Sequence, residues 1–181
     1  PGVEITEVTR VENPNYLFVQ LRLAPEAQPG QMTFVLSQGK RKIKQNYELQ
    51  PRRFPNNVVN GFGPQDLIYL IMPDRFANGD PANDDIENME QHSVDRRKMY
   101  FRHGGDLQGI INNLDYLEEL GVTALWLNPV LTNDQPLTSY HGYANTESYY
   151  VDPRFGGNEA YRKLIEECHK RGIKMIQDLV H

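Results

Sequence analysis

Cysteine is nearly absent from this sequence of 181 residues, and long apolar runs are absent altogether. The single cysteine, Cys168, cannot form an internal disulfide, and its apolar helical spacing predicts a small buried side chain rather than a reactive thiol. No stretch approaches the roughly 18 apolar residues that a membrane-spanning helix needs. No Gly-x-Gly-x-x-Gly motif follows a predicted strand, which argues against a dinucleotide-binding fold.

Charge of one sign is concentrated in only one short stretch of the chain. The net charge is -5, and 24% of the residues are charged, which is typical of a globular protein. One basic cluster, Lys40-Arg41-Lys42-Ile43-Lys44, has the pattern of a solvated strand or turn. We therefore expect no nucleic-acid partner.

The first part of the chain, residues 1–52, predicts short β-strands. Strand signals cover 3–8, 16–23, 32–36 and 42–49, and the last two are expected to form a hairpin around Gly39. Short strands between Pro and Gly turns favour a partial immunoglobulin-like β-sandwich, with strands expected to be missing at its front. The Pro- and Asn-rich residues 53–65 are interpreted as a linker.

Residues 66–181 alternate between strand and helix. Strands are predicted at 67–72, 122–127 and 173–180, and helices at 110–120 and 158–171. A doubly wound sheet and a (β/α)8 TIM barrel both begin with this order, but long loops at 73–105 and 128–157 follow strands, where barrel enzymes build their sites. We interpret the segment as the first three strands and two helices of the barrel. Because a barrel needs roughly 250 residues, the chain is expected to be a fragment.

Oxygen-bearing residues cluster after the first predicted barrel strand. Hard cations such as calcium take six to eight oxygen ligands from carboxylates, amides and backbone carbonyls. The candidate ligands are Asn78, Asp80, Asn83, Asp84, Asp106 and the carbonyl of Gly104. The alternative is an ordinary Asn-Gly and Asp-Pro turn with solvated acids.

Two further loops carry candidate sugar-binding residues. The second predicted barrel strand is followed by Tyr140-His141-Gly142-Tyr143. Aromatic rings can stack on a sugar, and imidazole can form hydrogen bonds to its hydroxyls. An equal alternative is a turn at Gly142 with tyrosines that pack against the top of the barrel. Asp178 ends the third strand, either in the mouth of the barrel or as a cap. Trp126 is expected to pack between barrel and helices. Asp74 and Arg75 are expected to form a structural ion pair.

The segments Asn78–Asp84 and Gly104–Ile110 together resemble the calcium loop of the alpha-amylase family, glycoside hydrolase family 13. The resemblance is to the neopullulanase, cyclomaltodextrinase and maltogenic amylase branch, and it covers residues 66–181. It implies Ca²⁺ on the six candidate ligands, a hydrogen bond from His141 to the cleaved sugar, and stacking by Tyr143. Asp178 resembles the first residue of a family motif, in which His181 is a variable position.

The resemblance implies a retaining α-glucan hydrolase acting on maltodextrin, cyclodextrin or pullulan. Its two catalytic carboxylates would follow the fourth and fifth barrel strands, so no catalytic residue is expected among these 181. The alternatives are a catalytically silent amylase-like ectodomain and a glucan-binding module. The latter is disfavoured because the aromatics Tyr16, Phe18, Phe34 and Tyr47 suit a core. A homodimer through the N-terminal module and a bacterial periplasmic or secreted location are further expectations.

Overall fold

The computed structural model describes residues 2–51 and 61–180. The chain divides into two units, Pro1–Gly61 and Phe62–His181. Most of the predicted linker and His181 lie outside the described residues. Within the described parts, no helix combines the length and the apolar character needed to cross a bilayer.

The first unit contains two separate antiparallel hairpins. Strand β1 (Val3–Arg10) pairs with β2 (Leu17–Leu23), and β3 (Gly30–Gln38) pairs with β4 (Arg41–Leu49). The predicted hairpin around Gly39 is therefore confirmed, with Gln38 opposite Arg41.

The predicted aromatic core of this unit is wrong for the structure as described. None of residues 2–51 is buried, and Phe18 and Tyr47 are about half exposed. Phe34 meets Tyr47 edge to face at 6.1 Å between ring centroids. A sheet of two strands leaves both of its faces accessible, so alternating apolar residues cannot become buried within it.

The second unit is built on a parallel three-stranded sheet. Its strands are β5 (Ile68–Ile71), β6 (Ala124–Leu127) and β7 (Lys174–Gln177), hydrogen-bonded in that order. The helices are α1 (Pro73–Phe76), α2 (Leu107–Ile111), α3 (Leu114–Glu119) and α4 (Gly157–Lys170). The predicted alternation of three strands with two helical segments is confirmed, and each strand is shorter than its apolar run. The short helix α1 was not predicted, because it lies in the predicted loop 73–105.

One predicted helix is two helices in the structure. The break between α2 and α3 falls at Asn112 and Asn113. The Asn113 side chain donates to the Gly109 carbonyl at 2.8 Å, and its backbone N–H turns instead to Ile110. A side chain that takes the i−4 carbonyl competes with the helical hydrogen bond, which explains the break.

The core lies on one face of the three-stranded sheet. Ile71, Leu125 and Leu127 pack there against Leu107 and Leu164, and all five are buried. Cys168 belongs to the same cluster and is fully buried, so the predicted core role is confirmed; burial raises the pKa of its thiol to about 12. The opposite face exposes apolar side chains of alternate residues, among them Ile68, Leu70 and Trp126.

An ion pair holds the amino-terminal edge of this sheet. Lys174 donates to both oxygens of Asp66 at 2.9 and 2.8 Å, and the Thr123 hydroxyl donates to Asp66 at 2.9 Å. The Lys174 bond, with those from Gly63 and Thr123, lowers the pKa of Asp66 to about 2. These contacts fix the starts of all three strands and so align their carboxyl ends.

Candidate functional site

The loops after β5 and β6 begin at the same edge of the sheet, because parallel strands end together. The two ends of the second loop run antiparallel, with Leu131 opposite Val151. Two backbone bonds beside this pair close the loop further: Thr132 N–H donates to the Tyr150 carbonyl at 3.0 Å, and Asp152 N–H donates to the Val130 carbonyl at 2.9 Å. The candidate residues of both loops are thus carried above the carboxyl ends of β5 to β7.

Asp74, directly after β5, is the anchor of the first loop. It is buried and accepts hydrogen bonds from the backbone N–H groups of His103, at 3.0 and 2.9 Å, and Gly104, at 3.2 Å. Arg75 pairs with the same carboxylate, as predicted, and Arg102 Nε lies 3.8 Å away. Asp74 therefore holds the far end of the loop beside its start, which is a structural role.

Asp106 is the centre of the predicted metal loop. Its fully buried carboxylate caps α2 through Gly109 N–H at 2.6 Å. It also accepts from the backbone of Gly79 at 3.1 and 3.2 Å, from Asp80 at 2.8 Å and from the Asn83 amide at 3.2 Å. One carboxylate thus gathers the turn 79–83 around the start of a helix.

Asn78 and Asp84 meet beside this carboxylate cluster. The Asn78 amide donates to both oxygens of Asp84 at 2.8 Å. Gly104, with φ of +84°, lies so close that an added Cβ would be 2.5 Å from an Asp84 oxygen. Only glycine therefore allows this backbone to approach the carboxylate.

Two amide oxygens in this loop have no hydrogen-bond partner among the residues that the structure describes. They are Oδ1 of Asn78 and Oδ1 of Asn83, and both are buried. An unpaired buried acceptor costs free energy unless something binds it. Asp80 differs from its neighbours, because its exposed carboxylate caps its own 3₁₀ turn through Ala82 N–H at 3.1 Å.

Acidic groups alone do not form a metal site here. Within the described ranges, no three His, Cys, Asp or Glu side chains are grouped as ligands. A cation in this loop would depend on amide and carbonyl oxygens as well as on Asp84 and Asp106. Such mixed oxygen sets suit calcium.

The predicted sugar-binding residues converge above β6 and β7. The rings of His141 and Tyr143 stack with centroids 5.9 Å apart and an interplanar angle of 28°. The Tyr143 hydroxyl donates to Asp178 at 2.9 Å, and 44% of Tyr143 remains exposed. The structure thus brings the three residues into one accessible surface.

Trp126 belongs to this surface, contrary to the sequence prediction. Its indole N–H donates to the same oxygen of Asp178 at 3.2 Å, and the side chain is 40% exposed. The prediction was wrong because Trp126 alternates with the buried Leu125 and Leu127 and so points to the other sheet face.

The backbone between His141 and Tyr143 fixes the imidazole. The Tyr143 N–H donates to His141 Nδ1 at 2.9 Å, so Nδ1 is an acceptor and the neutral ring carries its proton on Nε2. Burial lowers the pKa of His141, which favours the neutral form. Gly142, with φ of +81°, makes this turn, because a Cβ there would lie 1.9 Å from the Pro129 carbonyl.

Two buried arginines, which the sequence analysis missed, join the two loops. Arg102 donates to the Asp84 carbonyl at 3.3 Å and to the Arg154 carbonyl at 3.4 Å. Desolvation and the nearby charge of Arg154 lower the pKa of Arg102. Arg154 pairs with Asp152 through Nε and Nη2 at 2.9 and 2.6 Å. Burial raises the pKa of Asp152, but the bonds from Arg154 outweigh it and the net shift is downward.

Comparison with known proteins decides the family. Residues 70–181 match the family model "Alpha amylase, catalytic domain". The chain belongs to the alpha-amylase family. Residues 1–53 match a second model, "Cyclomaltodextrinase, N-terminal".

Relatives among curated proteins agree with this assignment. Neopullulanase 2 of Thermoactinomyces vulgaris is 46% identical over 115 residues, which are 63% of this chain and 19% of that protein. A cyclomaltodextrinase of Bacillus sp is 35% identical over 163 residues, 81% of this chain and 28% of that protein. The chain therefore spans about a fifth to about a quarter of the length of these relatives.

Solved structures show the same likeness. An Anoxybacillus alpha-amylase matches with a TM-score of 0.57 and 44% identity, over 64% of this chain and 24% of that one. A γ-cyclodextrin glucanotransferase (Gamma-CGTASE) of Bacillus clarkii matches with a TM-score of 0.57 and 34% identity, over 64% of this chain and 18% of that one.

Proposed function

We propose that this chain is part of a retaining α-glucan hydrolase that acts on maltodextrin, cyclodextrin or pullulan. In this proposal the second unit begins a (β/α)8 barrel, and the first unit is part of a β-sandwich. The catalytic carboxylates lie outside these 181 residues. The names of the relatives, a neopullulanase and cyclomaltodextrinases, support this substrate class.

The observation that carries the proposal is the joined surface of His141, Tyr143 and Asp178. The exposed ring of Tyr143 offers a flat apolar face for a sugar. The hydrogen bond from its hydroxyl to Asp178, at 2.9 Å, fixes the orientation of the ring. His141 presents Nε2–H as a hydrogen-bond donor, because Nδ1 is already occupied by the backbone at 2.9 Å. A sugar hydroxyl is a suitable acceptor for that proton.

Calcium is the cofactor in this proposal, and the loop chemistry fits it. Asn78 and Asn83 supply buried oxygens without a partner among the described residues, and Asp84 and Asp106 supply charge. Gly104, whose Cα lies beside Asp84, is proposed to supply its backbone carbonyl. Asp80, the remaining predicted ligand, has one carboxylate oxygen outside its capping bond. A bound calcium ion supplies positive charge that ties the loop together and takes no part in bond cleavage.

Replacement of Tyr143 with alanine tests the sugar-binding role. We expect kcat/KM on maltodextrin to fall about 5- to 150-fold in the complete gene product, because lost stacking removes roughly 1–3 kcal/mol of transition-state binding. Tyr143→Phe keeps the ring and loses the bond to Asp178, so a smaller loss is expected.

Tyr116→Ala is the matched control for this experiment. Tyr116 is an exposed tyrosine of α3, in the helix that precedes β6. Its removal deletes the same number of atoms outside the candidate site. An unchanged kcat/KM in Tyr143→Ala, with the wild type active, would contradict the stacking role of Tyr143.

A further inference from the structure

Ser139 is held by hydrogen bonds on all of its polar atoms. Its backbone N–H and its hydroxyl both donate to Gln91 Oε1, at 3.0 and 2.6 Å. Arg154 Nη1 donates to the hydroxyl at 3.2 Å, and the Asn133 amide donates to the Ser139 carbonyl at 3.1 Å. Ser139 is buried, so no solvent replaces these partners. We call Gln91, Asn133, Ser139 and Arg154 the Ser139 cluster.

Arg154 is the most constrained member of this cluster. A guanidinium has five N–H donors. Nε and one Nη2 proton go to Asp152, and the other Nη2 proton goes to the Asn133 carbonyl at 2.7 Å. Nη1 divides its two protons between the Gln91 carbonyl, at 2.8 Å, and the Ser139 hydroxyl. Every donor is used, which fixes the position of the group that holds Ser139.

The segment next to Ser139 is strained. Thr138 has φ of 59° and ψ of 21°, and it is the one non-glycine residue with positive φ among residues 2–51 and 61–180. A β-branched side chain disfavours this conformation. Such strain persists where surrounding contacts over-determine it, often at functional sites. The contacts that hold this segment are those of the Ser139 cluster.

The strained and clamped segment leads directly to His141. Residues Ser139–His141 form a single 3₁₀ turn, bounded by left-handed Thr138 and Gly142. Because the turn contains only three residues, a rotation of Ser139 also moves Tyr140 and His141. Asn128 adds only a long bond, of 3.4 Å, to the His141 carbonyl.

We propose that Ser139, held by Gln91 and Arg154, is a positioning residue for His141 in sugar binding and turnover. Its hydroxyl contacts Gln91 and Arg154, and it acts on the substrate through the imidazole two residues later. This inference rests on the proposed function, because it assigns a task to the turn that carries the proposed sugar-binding histidine.

A double-mutant cycle between Ser139 and His141 tests the proposal in the complete gene product. Ser139→Ala is expected to lower kcat/KM on maltodextrin about tenfold, because small misplacements of a binding group are costly. In a His141→Ala background the same change is expected to cost less than about twofold, since the group that it positions is gone. Ser148→Ala, an exposed serine on the same loop, is the control.

Gln91 provides a second pair of variants that does not depend on Ser139→Ala folding well. Gln91→Leu removes the acceptor and is expected to reproduce the loss. Gln91→Glu keeps an acceptor oxygen near Arg154 and is expected to retain activity, because Nε2 of Gln91 has no partner in the described structure. A purely structural role would instead lower the melting temperature and leave kcat/KM of the folded protein unchanged.

The outcomes separate this inference from the proposed function. If His141→Ala lowers kcat/KM but Ser139→Ala and Gln91→Leu do not, or if their losses multiply independently with that of His141→Ala, the inference fails and the function stands. If the wild type does not cleave α-glucans, or His141→Ala changes nothing, the function fails and the inference falls with it.

Discussion

Asp66 and Asp106 are both withdrawn from solvent, yet their partners differ in kind. The Asp66 side chain is 4% exposed and faces the Lys174 ammonium. Asp106 accepts from the N–H groups of Gly79, Asp80 and Gly109 and from the Asn83 amide, and no cationic side chain of residues 2–51 or 61–180 pairs with it. Asp66 is therefore neutralised by the protein itself, whereas Asp106 leaves negative charge in the loop that is proposed to hold calcium.

The Asp66 pair predicts an acid-dependent loss of stability. Its folded pKa of about 2 lies below the ordinary value of 3.8, so its stabilisation is present above about pH 4 and lost as the pH falls towards 2. Asp66→Asn should lower the melting temperature at pH 7, and the gap to wild type should close between pH 4 and 2. A gap in melting temperature that stays constant over this range would contradict the assignment of the acid-dependent loss to Asp66. Glu159→Gln is the control, because Glu159 is an exposed, paired acid on α4.

Replacement of Thr138, in contrast, is expected to raise the stability of the folded protein. Asparagine tolerates the left-handed conformation that threonine disfavours. Thr138→Asn should therefore stabilise the protein by about 0.5–1 kcal/mol, a fraction of the roughly 1–2 kcal/mol that the conformation costs a residue with a Cβ. Denaturant unfolding measures the change. A loss of stability would show that the Thr138 side chain makes a stabilising contribution larger than the strain.

At the scale of elements, order and type could be predicted and details of register and exposure could not. Apolar runs marked β5, β6 and β7, and helical spacing marked α4. The break between α2 and α3 depends on the hydrogen bond from the Asn113 side chain to the Gly109 carbonyl. The spacing of apolar residues does not predict that bond. The exposure of Trp126 depends on which sheet face is covered, which no local pattern contains.

The loop 78–84 and the segment that begins at Gly104 should behave as one calcium-dependent element. Saturating calcium should raise the melting temperature, by the linkage that yields about 2.7 kcal/mol at 100 times the dissociation constant. Chelation should reverse the rise, and Asp84→Ala should abolish it. Asp85→Ala is a matched control, because Asp85 is exposed and pairs with His92 at 2.8 Å. A calcium response equal in both variants would rule out Asp84 as a ligand.

Across the whole molecule, the candidate residues that could be predicted are those with a recognisable local motif. His141 and Tyr143 stand in one tetrapeptide, and Asp178 ends a strand. The Ser139 cluster has no such signal, because Gln91 and Ser139 are 48 positions apart and Gln91 and Arg154 are 63 apart. Only the folding of both long loops over one sheet edge brings these residues together.

Residues 1–181 alone are expected not to cleave α-glucans. Retaining hydrolysis needs two carboxylates roughly 5 Å apart, one as nucleophile and one as acid and base. Among the described residues, Asp178 is the carboxylate beside Tyr143, while Asp74 and Asp152 are each bound to arginine. Asp178 itself is already occupied by Tyr143 and Trp126 on one oxygen.

The surroundings of Asp178 lead to the same expectation. Leu70 and Trp126 on its sheet face are exposed, so within the described part of the second unit no packed layer covers that face. Catalytic groups need placement within about 0.5 Å, which requires rotamers locked by packing. Purified residues 1–181 should release no reducing sugar from cyclodextrin, pullulan or starch above blank, with the complete gene product as positive control. Turnover that survives repurification would mean that two catalytic carboxylates lie within this chain.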